Sequence, residues 1–377
     1  MKRKYLFKLT ALFFIMSIFL INCSKKGTNL NKIRSKDTSG SGVPGGDISI
    51  NEEITRYYEV ASGHNINSNV ILLVSQGGPS SVLASRPYTD SSTGASESAP
   101  EFMNWYPYFN VVHVHQAQTL AKNSEVDGLD ARLLSGDKII SMAESRKAAL
   151  KSAEILYKVA KHFKDQEKTV YVLTHSFGSF VILHTLAYHE NVFDKIVVTA
   201  GRVDMPLTVV NAFKNRCGGT FAENAVDFTV KDCSEIQQMN IVEKNKLLSG
   251  LRLQAAFGEN RYSRLLGNKN LDNLMYVYGS RDESVGKLSS SEITFLRNKD
   301  AVVLEKNSDH TLPDLEALPD SKTAKGMEGE DKSKVFNFLQ SPLVGRYSTL
   351  EISDDNFNLY LGDESDDESD KFDIAII

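Results

Sequence analysis

Apolar residues fall along this chain in two alternating textures. Short unbroken runs of β-branched, aliphatic and aromatic residues occur at Asn69–Val74, Phe109–Val114, Thr169–Leu173, Lys195–Thr199, Asn273–Tyr278 and, more briefly, Ala301–Leu304. Runs of this length without polar alternation predict strands buried on both faces. Between them lie helical patterns. Ser141–Phe163 repeats its apolar positions at Met142, Ala149, Ile155, Leu156, Val159 and Ala160, and Ser179–Tyr188 is apolar nearly all round, as in a buried helix. Strand-then-helix order predicts an α/β fold, with a mostly parallel central sheet flanked by helices through right-handed crossovers. Between Pro206 and Asn270 the strand texture disappears, which predicts an inserted helical cap. No internal repeat is visible.

The two ends of the chain have other patterns. Met1-Lys2-Arg3-Lys4 is a basic start, and Leu9 to Ile21 is apolar but short for a membrane span. The stretch Leu20-Ile21-Asn22-Cys23 resembles the lipobox of bacterial lipoproteins, with Asn22 where a small residue is usual. The resemblance implies a signal peptide over 1–22, removed before Cys23, and palmitate-type acyl chains on Cys23 that hold the protein at a membrane. It also implies a place in the bacterial cell envelope, on the extracytoplasmic side. A membrane helix with an incidental cysteine is the alternative. The polar stretch 23–48, rich in Ser, Gly, Lys and Asn, reads as a flexible tether. From Glu351 onward the chain carries nine Asp and Glu after that residue against Lys371 alone, so 346–377 reads as an acidic, solvated tail.

Composition narrows the function classes. A formal charge of −5 over 377 residues argues against nucleic acid as a partner. Beyond Cys23 only Cys217 and Cys233 remain. Outside the cytoplasm such a pair reads as a disulfide, which in the chain-entropy picture would contribute about 3 kcal/mol for a loop of about 15 residues. Two unrelated buried thiols are the alternative. No Cys/His cluster has metal-site spacing, so no metal is expected.

The sharpest local signal is Thr174-His175-Ser176-Phe177-Gly178, between the 169–173 strand and the 179–188 helix. A serine at such a corner sits on a tight turn with its hydroxyl above the sheet edge. The Phe177 amide lies at a helix N-terminus, where it can donate to a developing oxyanion. That is the geometry of a nucleophile elbow; a plain strand-to-helix turn is the alternative. Thr174 occupies the corner where glycine is usual, a more crowded fit.

Gln76-Gly77-Gly78-Pro79, Val111 to Gln118, Tyr276 to Val285 and Ser308-Asp309-His310-Thr311-Leu312 follow one another in chain order, and together these four segments resemble the α/β-hydrolase superfamily, nearest its proline iminopeptidase-like branch. Gln76-Gly77-Gly78-Pro79 follows a strand and is similar to the loop that supplies a second oxyanion donor; Gln76 replaces a histidine. Val111 to Gln118 resembles a strand and loop in which Ala117-Gln118 replace an Arg-Gly pair, so that loop should differ in shape, with His115 structural. Tyr276 to Val285 resembles the strand, glycine and acid of the triad and implies Asp282; Asp204, after the preceding strand, is the rival. Ser308-Asp309-His310-Thr311-Leu312 resembles the late histidine loop. With His184 and His189 placed on the elbow helix, His310 is also the one histidine left after it, as the order Ser, Asp, His requires. His175 is expected on the opposite side of the turn.

The resemblance implies a catalytic set of Ser176, Asp282 and His310, oxyanion donors from Gly77 or Gly78 and from Phe177, and no cofactor. The chain then divides into a hydrolase core over 49–205 and 271–345, interrupted by the cap at 206–270. The implied activity is hydrolysis of an ester or a peptide bond in a small acyl or peptide substrate. A non-catalytic surface binding protein on the same fold is the competing class. Oligomeric state is left open.

Overall fold

The structure is a computed structural model that describes residues 54–61, 65–83, 88–89, 96–97, 108–120, 133–215, 217–231, 233–310 and 330–341. The expected signal peptide with Cys23, the expected tether and the expected acidic tail lie outside the described residues. In chain order the strands are β1 (Tyr58–Val60), β2 (Val70–Ser75), β3 (Tyr88–Thr89), β4 (Ser96–Glu97), β5 (Asn110–Val114), β6 (Thr169–His175), β7 (Lys195–Thr199), β8 (Gly219–Phe221), β9 (Phe228–Val230), β10 (Leu274–Gly279) and β11 (Val302–Lys306). The helices are α1 (Ala117–Leu120), α2 (Met142–Lys164), α3 (Phe177–Tyr188), α4 (Leu207–Lys214), α5 (Cys233–Gln237), α6 (Ile241–Gly258), α7 (Tyr262–Leu265), α8 (Ser290–Arg297) and α9 (Glu330–Gln340).

Among the described residues, seven strands form one sheet in the order β1-β5-β2-β6-β7-β10-β11. All neighbours are parallel except β1, which runs antiparallel to β5 at one edge. The sheet is buried on both faces, which is why its strands read as unbroken apolar runs. Ile71, Leu73, Val170 and Val172 point into one core with Leu156, Val181 and Phe257, while Leu72, Val74, Tyr171 and Leu173 point into a second with Phe336 and Leu339 of α9. Helix α2 begins where its sequence can cap it: Ser141 Oγ accepts from the Glu144 amide at 3.1 Å, and Glu144 accepts in return from the Ser141 amide at 2.6 Å. The strand order, with its antiparallel edge strand, is that of the α/β-hydrolase fold.

The segment between β7 and β10 corrects one expectation. It is mostly helical, but it also contains the antiparallel ribbon β8–β9. Strands of three residues are too short to leave a periodic signature. The segment is continuous with the main core, since Phe213, Phe221, Leu248, Leu251 and Phe257 share the cluster that holds Val172 and Phe177. Helix α6 also braces the entry to α2: Asn245 donates to the Gly136 carbonyl at 2.9 Å, and the Ile140 amide donates to Ser249 Oγ at 3.2 Å. Cys217 and Cys233 flank the ribbon and sit at disulfide distance, with Cα atoms 5.0 Å apart.

Candidate active site

Parallel strands deliver their following loops to one edge of the sheet, where such sites form. Strand β6 ends at His175 and α3 starts at Phe177, so Ser176 alone makes the corner. Its backbone sits at φ 51°, ψ −114°, a left-handed conformation unfavourable for a residue with a side chain. The turn is held from β7: the Ser176 amide donates to the Thr199 carbonyl at 2.9 Å, and Ser179 Oγ donates to the same carbonyl at 2.7 Å. Gly178 lets α3 approach β2 this closely, since a Cβ there would lie 2.1 Å from the Ser75 carbonyl oxygen. Thr174 fits because it is fully buried beside β7 and its hydroxyl donates to the Val197 carbonyl at 3.3 Å.

Two further loops meet the elbow. Asp282, 1% exposed, follows β10, and its Oδ1 accepts from the Ser284 and Val285 amides at 2.8 and 3.0 Å. His310 follows β11. Its Nδ1 lies 2.8 Å from Asp282 Oδ2 and its Nε2 lies 2.8 Å from Ser176 Oγ. A carboxylate only accepts, so Nδ1 carries the proton toward Asp282, and Nε2 is left to accept from the serine hydroxyl. The two loops touch at Gly279, where a Cβ would lie 2.6 Å from the Ser308 carbonyl oxygen and 2.7 Å from that of Asp309. The Arg281 amide donates to the Ser308 carbonyl at 3.0 Å, which fixes the spacing between acid and histidine.

The rival acid is engaged elsewhere. Asp204 accepts from the Ser263 amide at 3.2 Å and from the Ser263 hydroxyl, at the start of α7. Its own amide donates to Glu292, whose carboxylate also forms a buried ion pair with Arg202 at 2.6 Å. This cluster ties the β7 loop to α7 and α8, and both carboxylate oxygens of Asp204 are taken up by Ser263.

The loop after β2 reaches the same corner. A Cβ on Gly77 would lie 3.3 Å from the Ser176 Cβ, so Gly77 stands beside the serine and the Phe177 end of α3. Gln116 secures this loop by donating to the Gln76 carbonyl at 2.8 Å, and it is itself contacted by Gln118 Nε2 at 2.6 Å. The Ala117-Gln118 replacement thus starts the short helix α1, whose Ala117 amide donates to Ser152 on α2 at 3.0 Å. His115 lies outside this arrangement, with Nδ1 2.9 Å from Thr119 Oγ1, and burial lowers its pKa.

His175 departs from expectation. Its ring does not turn away from Ser176; it lies 5.3 Å from the His310 ring, centroid to centroid, and beside Gly77. The cause is a chain of hydrogen bonds across β6 and β7. Thr199 Oγ1 donates to the Thr174 carbonyl at 2.8 Å, so it accepts from His175 Nδ1 at 3.0 Å and holds the ring. Burial, with His310 beside it, pushes the His175 pKa down to about 3, so this second imidazole is neutral at pH 7. Thr199 was legible only as part of a strand, although a polar residue ending a buried apolar run was a signal for it.

No family model matches the chain, and comparison with curated proteins finds no match. Among solved structures, an α/β hydrolase enzyme from a Medee basin deep-sea metagenome library is similar at 12% identity and a TM-score of 0.44, over 77% of this chain and 96% of that one. A lipase-esterase related protein from Clostridium acetobutylicum is similar at 13% identity and 0.41, over 75% and 98% of the two chains. A hydrolase from Oleispira antarctica is similar at 10% identity and 0.41, over 77% and 97%.

Proposed function

We propose that this chain is a membrane-anchored serine hydrolase that cleaves an ester or a peptide bond. The observation that carries the reading is the line from Asp282 through His310 to Ser176, with both contacts at 2.8 Å. In the proposed reaction Ser176 Oγ attacks the acyl carbonyl while its proton passes to His310 Nε2. Asp282 holds the imidazole in the required tautomer and stabilises the imidazolium. The amides of Phe177 and of Gly77 or Gly78 receive the charge that develops on the carbonyl oxygen. His310 then protonates the leaving alcohol or amine, and water repeats the sequence in reverse on the acyl-enzyme. His175 supports this reading because it stays neutral beside His310 and so adds no charge against the imidazolium. No step calls for a cofactor. The segment 206–270 would shape the acyl-binding side.

The test is a fluorophosphonate probe with activated ester substrates. We expect the wild-type protein to be labelled, and Ser176→Ala to lose labelling together with about 10⁴-fold or more of ester turnover while staying folded. Labelling unchanged in Ser176→Ala would sink Ser176 as the nucleophile, and a wild-type protein that takes no label would leave the non-catalytic binding class. The anchor is proposed from Leu20-Ile21-Asn22-Cys23 alone. The mature wild-type protein should begin at an acylated Cys23; a chain that keeps residues 1–22 and carries no acyl group would instead mark a transmembrane segment.

A further inference from the structure

The carboxylate of Asp282 is oriented by a turn that the ribbon β8–β9 holds from outside. Asp282 Oδ1 accepts from the amides of Ser284 and Val285, so the position of the carboxylate follows the backbone of 283–286. That backbone is gripped at both ends. The Phe221 amide and the Thr220 hydroxyl donate to the Glu283 carbonyl at 2.9 and 3.0 Å, and the Lys287 amide donates to the Ala225 carbonyl at 2.9 Å. The Phe221 ring, 2% exposed, covers Gly286, where the chain runs at φ 77° and a Cβ would lie 2.8 Å from that ring.

The ribbon is itself a weak element. Each strand has three residues, and a lone two-stranded ribbon of that size is marginal in water. Its open end is closed by the Lys231 amide donating to the Gly218 carbonyl at 2.8 Å, and by the Cys217–Cys233 pair immediately outside it. It is also attached through the aromatic trio Phe213, Phe228 and Phe221, in which Phe228 meets Phe213 edge to face at a centroid distance of 6.4 Å and Phe221 at a tilt at 5.1 Å.

We infer that Phe221 and Thr220 are positioning residues for Asp282, and that the Cys217–Cys233 disulfide makes their grip, and hence turnover, sensitive to reduction. The inference rests on the serine-hydrolase reading. A dithiol supplies two electrons and two protons: the S–S bond breaks, Cys217 and Cys233 become thiols, and the dithiol closes to its own disulfide. The ribbon then frays at its open end, the 283–287 turn loosens, and His310 loses a fixed partner while Ser176 and the oxyanion loop stay in place. The loss therefore falls on kcat and spares KM.

The experiment uses the full chain, oxidised and dithiol-reduced, with Thr220→Val and the Cys217→Ser/Cys233→Ser double variant beside it. Near-ultraviolet circular dichroism selects the forms that remain folded. Reduction and the double variant should lower kcat on an activated ester about 10-fold with KM changed less than about twofold, Thr220→Val should lower it by a smaller factor, and amide exchange should rise at 283–287. In an Asp282→Asn background reduction should have no further effect on kcat, because the grip acts only through that carboxylate; a merely structural role would lower kcat in both backgrounds alike. Unchanged kcat and unchanged exchange on reduction overturn the inference while Ser176-dependent labelling continues. Loss of labelling dependence on Ser176 overturns the hydrolase reading, and this inference falls with it. If both reduction and the double variant unfold the protein, Thr220→Val decides: kcat and exchange as in the wild type overturn the inference.

Discussion

At the scale of single residues, the site turns on which acid faces His310. Both Asp204 and Asp282 follow strands of the same sheet edge, and sequence left them as rivals. Their surroundings separate them. Asp282 is buried with one oxygen on two amides and the other on His310, while Asp204 spends both oxygens on Ser263. Asparagine keeps the shape of either side chain but presents an amide where a carboxylate stood. At Asp282 it favours the wrong tautomer of His310, a change that costs about 10⁴-fold in kcat in the prototype serine protease. At Asp204 it weakens a structural contact, with an expected loss of about 1 kcal/mol of stability and less than 10-fold in kcat. The two variants compared on one ester substrate check this, and a crippled Asp204→Asn beside a mild Asp282→Asn would reverse the assignment. Ser176, Asp282 and His310 were readable because each ends or follows an apolar run. The inward ring of His175 was not, because a hydroxyl on a neighbouring strand, Thr199, sets its direction.

At the scale of elements, legibility followed length. The long strands and the helix at 141–163 appear within a residue or two of where their apolar runs place them, because burial on both faces leaves no polar alternation to confuse the pattern. The antiparallel edge strand β1 and the ribbon β8–β9 were not read, since three residues carry no period and β1 is only half-buried. The close contact between the acid loop and the histidine loop was half legible: Gly279 was visible as a glycine after a strand, but not what approaches it. That approach yields a prediction. In Gly279→Ala the new methyl would stand 2.6 Å from the Ser308 carbonyl oxygen, so the loop carrying His310 must shift. A displacement near 1 Å at a reacting group costs on the order of 10²-fold in rate. We expect Gly279→Ala to lose that much kcat with a retained fold and KM; an unchanged kcat would show that the two loops do not set the spacing.

At the scale of the whole molecule, the buried histidines couple the fold to pH. His113 in β5 and His184 in α3 are 1% and 3% exposed, and burial pushes each pKa down to about 4, as it pushes His175 to about 3. Glu59 pulls His113 partly back, while His189 adds to the fall at His184. His184 Nδ1 lies 2.9 Å from the Tyr262 hydroxyl, and its Nε2 is buried with no hydrogen-bond partner among the described residues, so none of them welcomes a second proton there. Unfolded histidines titrate near 6.5. Between about pH 6.5 and about pH 4 the unfolded chain therefore binds protons that the folded chain refuses, and stability rises with pH in that window. It is fully present above 6.5 and is lost on acidification, each site contributing a slope that approaches ~1.4 kcal/mol per pH unit. Urea unfolding between pH 7 and 5 should show this fall before most carboxylates protonate. His184→Gln should lower the slope by one proton's worth whatever it does to the stability at pH 7, because the slope counts protons and the level counts contacts. A flat stability between pH 7 and 5, or a slope that His184→Gln leaves untouched, would mean that these imidazoles accept protons in the folded state.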